Sequence, residues 1–402
     1  MVSIYRNAYL TISASRARDS SQGFFGESNA REYVEFEYAT GDLRGQVLAF
    51  ALPLNEEVNS IETIKLQKEP LSDRGWTLQE RAAASRTVIY ALPQLFFECN
   101  EGFRGEDGRY VKYRFESITK LEQKTREMRR NGQINQTTQW GRVSKGRYTL
   151  LESWQRLVGF YGQRRLAYAS DKLPAISGLA SVFAKWLDDE CIAGLWRSQL
   201  IEGLLWQGCP GKQAQQYRAP SWSWASTDGN TDAYIPRNSW SSYELLSNVL
   251  DVNVKLKGTN PYGEVTDASL KIQAPIECLN FTIENWDPTK KEKFSITHPI
   301  VTTDSGNPVG TECYFDFDYR AEHNPHEALR TVKSLKGVDI FALILLKATY
   351  IDKSVYYHAL IISEVKEGGD YQRLGTIYLN EGVLGKRPEN QAVDEFPITR
   401  LV

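Results

Sequence analysis

The strongest constraint on the fold lies in the C-terminal half, where apolar and alternating segments succeed one another with turn residues and no helical period between them. Val252, Val254 and Leu256 alternate, as do Leu270, Ile272 and Ala274, and the segments 281–284, 314–319, 338–347, 355–365 and 375–379 complete the set. Alternation at period two places every second side chain on the same face of a strand. Several strands joined by turns, without interleaved helices, predict an antiparallel barrel or sandwich. The stretch Y-R-A-P-S-W-S-W-A-S at 217–226 opens this half. If it is extended, Trp222 and Trp224 share one face and the serines take the other.

The segment before it is helical. Leu150, Leu151, Trp154, Leu157, Val158 and Tyr161 form one apolar stripe at helical spacing. A second helix is expected from Asp171, with Pro174 in its first turn and a stripe of Ile176, Leu179, Ala180 and Phe183. A third is expected to carry Leu195, Trp196, Leu200, Leu204 and Leu205 and to end at Gly208-Cys209-Pro210-Gly211. Ahead of these, residues 104–147 hold 12 Lys/Arg against 5 Asp/Glu and few aliphatics, which predicts a solvated connector with one exposed helix over 120–130.

In the N-terminal part a strand is expected over 9–14 and another over 33–38. The stretch 71–100 then packs Arg74, Trp76, Gln79, Glu80 and Arg81 into a short helix, followed by strands over 87–90 and 95–99. Asp73 is the expected N-cap. Trp76 and Glu80 share a helix face, as do Thr77 and Arg81. Two readings of this block stand: a buried polar network with Trp76 as core and Arg74 and Glu80 as its paired charges, or a polar anchor for a ligand carbonyl. The expected architecture is α+β, with an α/β part over 1–103, the connector 104–147, a helical segment 148–212 and a β-rich barrel or sandwich domain 213–402.

Composition narrows the function classes. Forty-eight Lys/Arg against 50 Asp/Glu nearly cancel, which argues against nucleic acid or an anionic membrane as partner. The longest apolar run, 340–346, is far too short to span a membrane as a helix. Five widely spaced cysteines without a C-x-x-C pattern predict reduced thiols rather than a disulfide framework or a zinc site, and with no signal peptide a cytoplasmic location is expected. All four histidines, His298, His323, His326 and His358, lie in the β-rich half, and no metal is expected on them. No G-x-S-x-G, P-loop or G-x-G-x-x-G is present. Asp316 and Asp318 share one side of a strand and read as a solvated face. Aromatic residues, at 12%, exceed the usual share and suit flat-walled apolar pockets as well as large cores.

Several blocks resemble one family. I-Y-R-N-A-Y-L-T-I-S-A at 4–14, R-G-W-T-L-Q-E-R at 74–81 and Q-L-F-F-E-C at 94–99 are similar to the fungal heterokaryon-incompatibility (HET) domain. D-K-L-P-A-I-S-G-L-A at 171–180, A-G-L-W at 193–196, L-L-W at 204–206 and R-A-P-S-W-S-W-A-S at 218–226 resemble the region that follows it in such proteins. In that family, further strands and a W-I-D-type block precede I-Y-R-N-A. Here the block starts three residues after Met1, so the resemblance implies the C-terminal part of the domain, without the nucleotide-type site that its TIR-like first half would build. By architecture alone, the chain also resembles the fungal tropolone-sesquiterpenoid hetero-Diels–Alderases.

The second resemblance implies a cofactor-independent cyclase of fungal secondary metabolism, most concretely an intermolecular hetero-Diels–Alderase joining a tropolone quinone methide to a humulene-type sesquiterpene alkene. Such a reaction needs two apolar partners held in reacting geometry and a few donors for developing charge on oxygen, but no cofactor. Arg74, Glu80 and Arg81 would be the catalytic residues, and Trp76, Tyr217, Trp222 and Trp224 the substrate-binding ones, with apolar small molecules as partners and a homodimer compatible with the reading. The alternative is a HET-type incompatibility or signalling protein that acts by assembly and not by turnover.

Overall fold

The computed structural model describes the chain apart from residues 26–32, 50–65, 67–68, 93, 107, 109, 112–116, 139–142, 209–211, 215, 230, 233–238, 283–299, 304–311, 316–337, 366–368 and 381–391. The chain forms two compact units, Met1–Lys124 and Thr125–Val402, and is of α+β class.

The first unit is built on a five-stranded sheet. It comprises β1 (Thr11–Ser13), β4 (Arg86–Tyr90), β5 (Leu95–Cys99), β6 (Gly102–Gly105) and β7 (Tyr110–Val111), in the order β1-β4-β5-β6-β7. The neighbour that the early strand requires is β4, with which β1 pairs in parallel, Thr11 opposite Thr87 and Ser13 opposite Ile89. The remaining pairs are antiparallel. A parallel pair needs a crossover. The helix α2 (Gly75–Ala83) lies within that connection, after α1 (Val2–Asn7). Leu66, Ile89, Ala91, Phe96 and Phe103 form its apolar cluster, with the Phe96 and Phe103 rings 4.9 Å apart. A separate antiparallel hairpin, β2 (Val34–Thr40) and β3 (Leu43–Ala49), is exposed along both strands.

Asp73 is not the N-cap of α2. It closes a 3-10 turn, Pro70–Asp73, and the N-cap is Arg74, whose side chain makes no capping bond. The Thr77 hydroxyl ties the entry together instead, reaching both the Leu71 carbonyl at 2.7 Å and the Arg74 carbonyl at 2.8 Å.

The helix α3 (Ile118–Arg130) crosses the division between the units. In the second unit, α4 (Lys145–Gly162) starts at Ser144, whose hydroxyl accepts from the Arg147 amide, and buries the whole predicted stripe from Leu150 to Tyr161. The second predicted helix is broken into 3-10 turns at Ala169–Asp171 and Pro174–Ile176 before α5 (Ser177–Leu187) forms.

The third predicted helix opens as a hairpin at Leu195 and Trp196. β8 (Cys191–Ile192) returns as β9 (Leu195–Trp196) through Ala193 and Gly194, with φ of 46° and 91°. Two consecutive positive φ values define the tight turn that right-twisted strands favour. A 3-10 turn, Arg197–Gln199, and the four-residue α6 (Leu200–Gly203) keep the middle of the expected helix helical. Two small ladders follow, β10 (Gln207–Gly208) with β13 (Thr231–Asp232) and β11 (Lys212–Gln213) with β12 (Thr227–Asp228).

The predicted β-rich half is a ten-stranded sheet. Its members are β14 (Trp240–Leu245), β15 (Asn248–Leu256), β16 (Val265–Gln273), β17 (Ile276–Thr282), β18 (Ile300–Thr303), β19 (Glu312–Phe315), β20 (Ile340–Tyr350), β21 (Val355–Glu364), β22 (Asp370–Asn380) and β23 (Ile398–Leu401). The main path runs β15-β16-β23-β22-β21-β20-β17-β18, and every pair except β22/β23 is antiparallel. Along one edge of β20, β17 takes residues Ile340 to Leu343 and β14 takes Leu346 to Tyr350. β22 divides an edge in the same way between β23 and β19. The sheet curls into a nearly closed, barrel-like form. One face of it carries an apolar cluster of Ile340, Ala342, Ile344, Ala359, Ile361, Leu374, Ile377 and Leu379. β17 spans Ile276–Thr282, so the strand expected over 281–284 begins five residues earlier, and residues 283 and 284 lie outside the described residues. Asp316, Asp318, His298, His323 and His326 lie outside the described residues. Among the described residues no helix is long and apolar enough to cross a membrane.

Candidate functional site

The expected site residues fall into two groups, each described within its own unit. Arg74, Trp76, Glu80 and Arg81 all stand on or beside α2. Arg81 makes a two-point ion pair with Glu98 on β5, Nε to Oε2 at 2.9 Å and an NH2 group to Oε1 at 3.1 Å. Glu80 turns toward α1, where it accepts a bond from the Tyr5 hydroxyl; partial burial first, and the Glu80 charge second, raise the pKa of that hydroxyl. Trp76 is half-buried and the Arg74 side chain is exposed. The block therefore fastens helix α2 to α1 and to β5, with Arg81–Glu98 as its best-formed charge pair.

In the second unit, Trp222 and Trp224 do not alternate along a strand. The chain turns at Ser221 and enters a 3-10 helix, Trp224–Ser226. Serine side chains divert the backbone from a ladder by bonding to nearby backbone groups. The Ser223 hydroxyl accepts from the Ala225 amide at 3.0 Å and donates to the Ala193 carbonyl at 2.6 Å, while Ser226 donates to the Ser223 carbonyl at 2.7 Å. Both indoles are fully buried. The Trp224 indole N–H donates to the Gly194 carbonyl at 3.0 Å. A Cβ on Gly194 would stand 2.6 Å from that same indole nitrogen, so the turn needs glycine twice over. The Trp206 indole donates to the Trp222 carbonyl at 2.9 Å, and among the described residues the Trp222 indole nitrogen has no hydrogen-bond partner. Tyr217 is mostly exposed; partial burial, and then the charge of Asp267, push its hydroxyl up to about 12.

Arg373 on β22 completes this hub. Its side chain is buried, its guanidinium lies 3.5 Å over the Trp206 ring, and it donates to the Leu204 and Trp206 carbonyls. The blocks 193–196, 204–206 and 218–226, far apart in sequence, are thus one interlocked element.

The same element carries a charge cluster that spacing did not reveal. Lys172 and Arg218 are 1% and 5% exposed, and both face Asp228. The Arg218 NH2 group lies 2.7 Å from Asp228 Oδ1, and Lys172 Nζ lies 3.7 Å from the same oxygen. The Arg218 Nε–H donates to the Ala225 carbonyl at 2.6 Å. Below the ammonium is the Tyr161 ring, 5.3 Å away, and the Tyr161 hydroxyl donates to the Lys172 carbonyl at 2.7 Å. Burial, and then the nearby Arg218 charge, bring the Lys172 pKa down to about 8 against the partial support of Asp228. Burial drives the Tyr161 hydroxyl far upward. A buried lysine looks like any surface lysine in a sequence, and neither composition nor spacing marks this one.

A cleft near this hub, lined by Trp154, Leu173, Ile176, Cys191, Tyr262 and Val265 among others, has a free volume of about 10 Å³, close to the space of a single water. Among the described residues no three His, Cys, Asp or Glu side chains cluster so as to hold a metal ion.

No curated protein and no solved structure matches the chain. Residues 1–80, from α1 into α2, match the family model described as Heterokaryon incompatibility protein (HET), so the N-terminal part of this chain is similar to a HET domain.

Proposed function

We propose that the chain is a HET-type interaction protein that acts by self-association through its first unit. The observation that carries this reading is the hairpin β2–β3. Register places Val34, Phe36, Tyr38 and Thr40 on one face, opposite Ala49, Val47, Gly45 and Leu43. That face has no charge, while Glu35, Glu37 and Arg44 project from the other. Phe36, Tyr38, Val47 and Leu43 are each about half exposed or more, from 49% at Val47 to 71% at Leu43. An uncharged apolar face on an exposed two-stranded ribbon suits a docking surface. A second copy supplies the same face, which is what a two-fold interface requires. The hairpin lies inside the stretch that matches the HET model.

Sedimentation of the full chain across concentrations tests the proposal. The wild type should show a dimer that Phe36→Asp shifts to monomer at least tenfold more readily, because a charge at the centre of an apolar interface is left unpaired. A wild type that stays monomeric at high concentration would defeat it.

The cofactor-free cyclase, acting on a quinone methide and an alkene, is the second reading. The exposed position of Tyr217 and the aromatic share of the chain support it. The closed packing of both indoles and the small cleft beside them favour docking. Incubation with tropolone quinone-methide precursors and a humulene-type alkene separates the two, since product above the background rate, with non-background stereochemistry, would establish the cyclase.

A further inference from the structure

The cluster around Lys172 contains more positive than negative charge. Lys172 and Arg218 share the single oxygen Oδ1 of Asp228, and among the described residues no other carboxylate lies within ion-pair distance of either. Arg164 and Asp171 act on the same Tyr161 hydroxyl with opposite signs, so they leave this imbalance unchanged. Burying an uncompensated charge is costly, and such a charge is retained where something neutralises it. Burial is also uneven. The two cations are almost wholly enclosed, whereas the Asp228 side chain is 57% exposed and forms the solvent side of the cluster. Asp228 lies at the end of the two-residue strand β12, followed by Gly229 at φ 121°.

We propose that Lys172 and Arg218 form a binding site for a phosphoryl group, with the Asp228 carboxylate occupying the anion's place until it rotates outward to admit the ligand. A dianion matches two cations where one carboxylate cannot. The guanidinium offers a planar fork to two phosphate oxygens and the ammonium a point charge to a third. The Tyr161 ring below Lys172 and the Ala225 carbonyl on Arg218 Nε hold both donors in place without ligand. No substrate is transformed in this step; it exchanges one counter-ion for another.

The experiment uses the full chain and inorganic phosphate at pH 7, with sodium chloride of equal ionic strength as control. The wild type should bind phosphate saturably by calorimetry and melt at a higher temperature in it. Asp228→Asn should bind about tenfold more tightly, because the competing charge-assisted bond is gone. Lys172→Met should lose binding at least tenfold. No saturable binding in either the wild type or Asp228→Asn would overturn the proposal, as would binding that Lys172→Met leaves unchanged. If Asp228→Asn fails to fold, wild type against Lys172→Met decides the matter alone.

Discussion

Replacing Lys172 by Met offers a quantitative test of the second unit's electrostatics. The ammonium is buried, and its pKa falls from the ordinary 10.5 to about 8. The sign follows from proton binding. Below pH 8 the lysine is charged in both folded and unfolded states, and the folded state bears the full penalty of burying it. Between pH 8 and 10.5 the unfolded chain holds more protons, so stability rises with pH through that window. The shift of two and a half pKa units corresponds to about 3 kcal/mol at completion. By pH 10 roughly 2.5 kcal/mol of it should be regained. Lys172→Met keeps the side-chain length and a favourable sulfur–ring contact with Tyr161, leaves Arg218–Asp228 as a balanced pair, and removes the titration. Urea unfolding of both proteins from pH 7 to 10 should therefore show the wild type gaining about 2.5 kcal/mol on the variant, with other titrations cancelling in the difference. A difference that stays flat within about 0.5 kcal/mol would refute the reasoning, because the ammonium would then carry no burial penalty.

Three further substitutions test the packing argument. Gly194→Ala should destabilise the chain by about 2–4 kcal/mol, read as a lower urea midpoint, since it adds a positive-φ penalty to a collision with the Trp224 indole. Arg81→Met should cost about 1–3 kcal/mol by leaving Glu98 partly buried without its partner, and the double variant with Glu98→Leu should recover part of that loss in a double-mutant cycle. Thr77→Val should lower stability by about 1 kcal/mol whereas Asp73→Ala should change it by less than about 0.5. Equal effects would restore Asp73 as the residue that starts α2.

The sequence reported periodicity well and backbone diversion poorly. The stripe from Leu150 to Tyr161 was visible because a long helix repeats its apolar face several times, and the strand around Leu270 because its apolar residues alternate. At Leu195 and Trp196 the same reasoning failed: the helical period holds over 197–203, yet Ala193 and Gly194 first turn the chain into a hairpin. An alanine at positive φ leaves no local trace, because the Trp224 indole that fits over Gly194 comes from thirty residues away. Trp222 and Trp224 alternate on paper, but Ser223 and Ser226 spend their hydroxyls on neighbouring carbonyls, which closes a turn where a strand was expected. For the expected site, the sequence placed Arg74, Trp76, Glu80 and Arg81 on one short helix but could not pair them. Glu98, the partner of Arg81, lies on β5, where alternation alone reads as an ordinary strand.

The blocks 193–196, 204–206 and 218–226 are locked together by side chains that grip backbone outside their own block. Ser223 holds the Ala193 carbonyl, Trp224 the Gly194 carbonyl, Trp206 the Trp222 carbonyl and Arg373 the carbonyls at Leu204 and Trp206. Such contacts demand a particular donor at a particular place, whereas an aliphatic core tolerates exchange among residues of similar volume. They would be demanded equally whether the chain cyclises a polyene or docks a second copy, so the resemblance reports the scaffold and is silent on the output. Function should instead be sought where residue choice departs from what packing needs. Two places do so. One is the hairpin β2–β3, which carries five large apolar side chains on a face where solvent-compatible ones would fold as well. The other is Lys172, where a methionine would fill the volume without the cost of burying a charge. Loss of self-association on Phe36→Asp and loss of phosphate binding on Lys172→Met would each be separable from unfolding, and each would assign an output to a residue that the scaffold alone does not require.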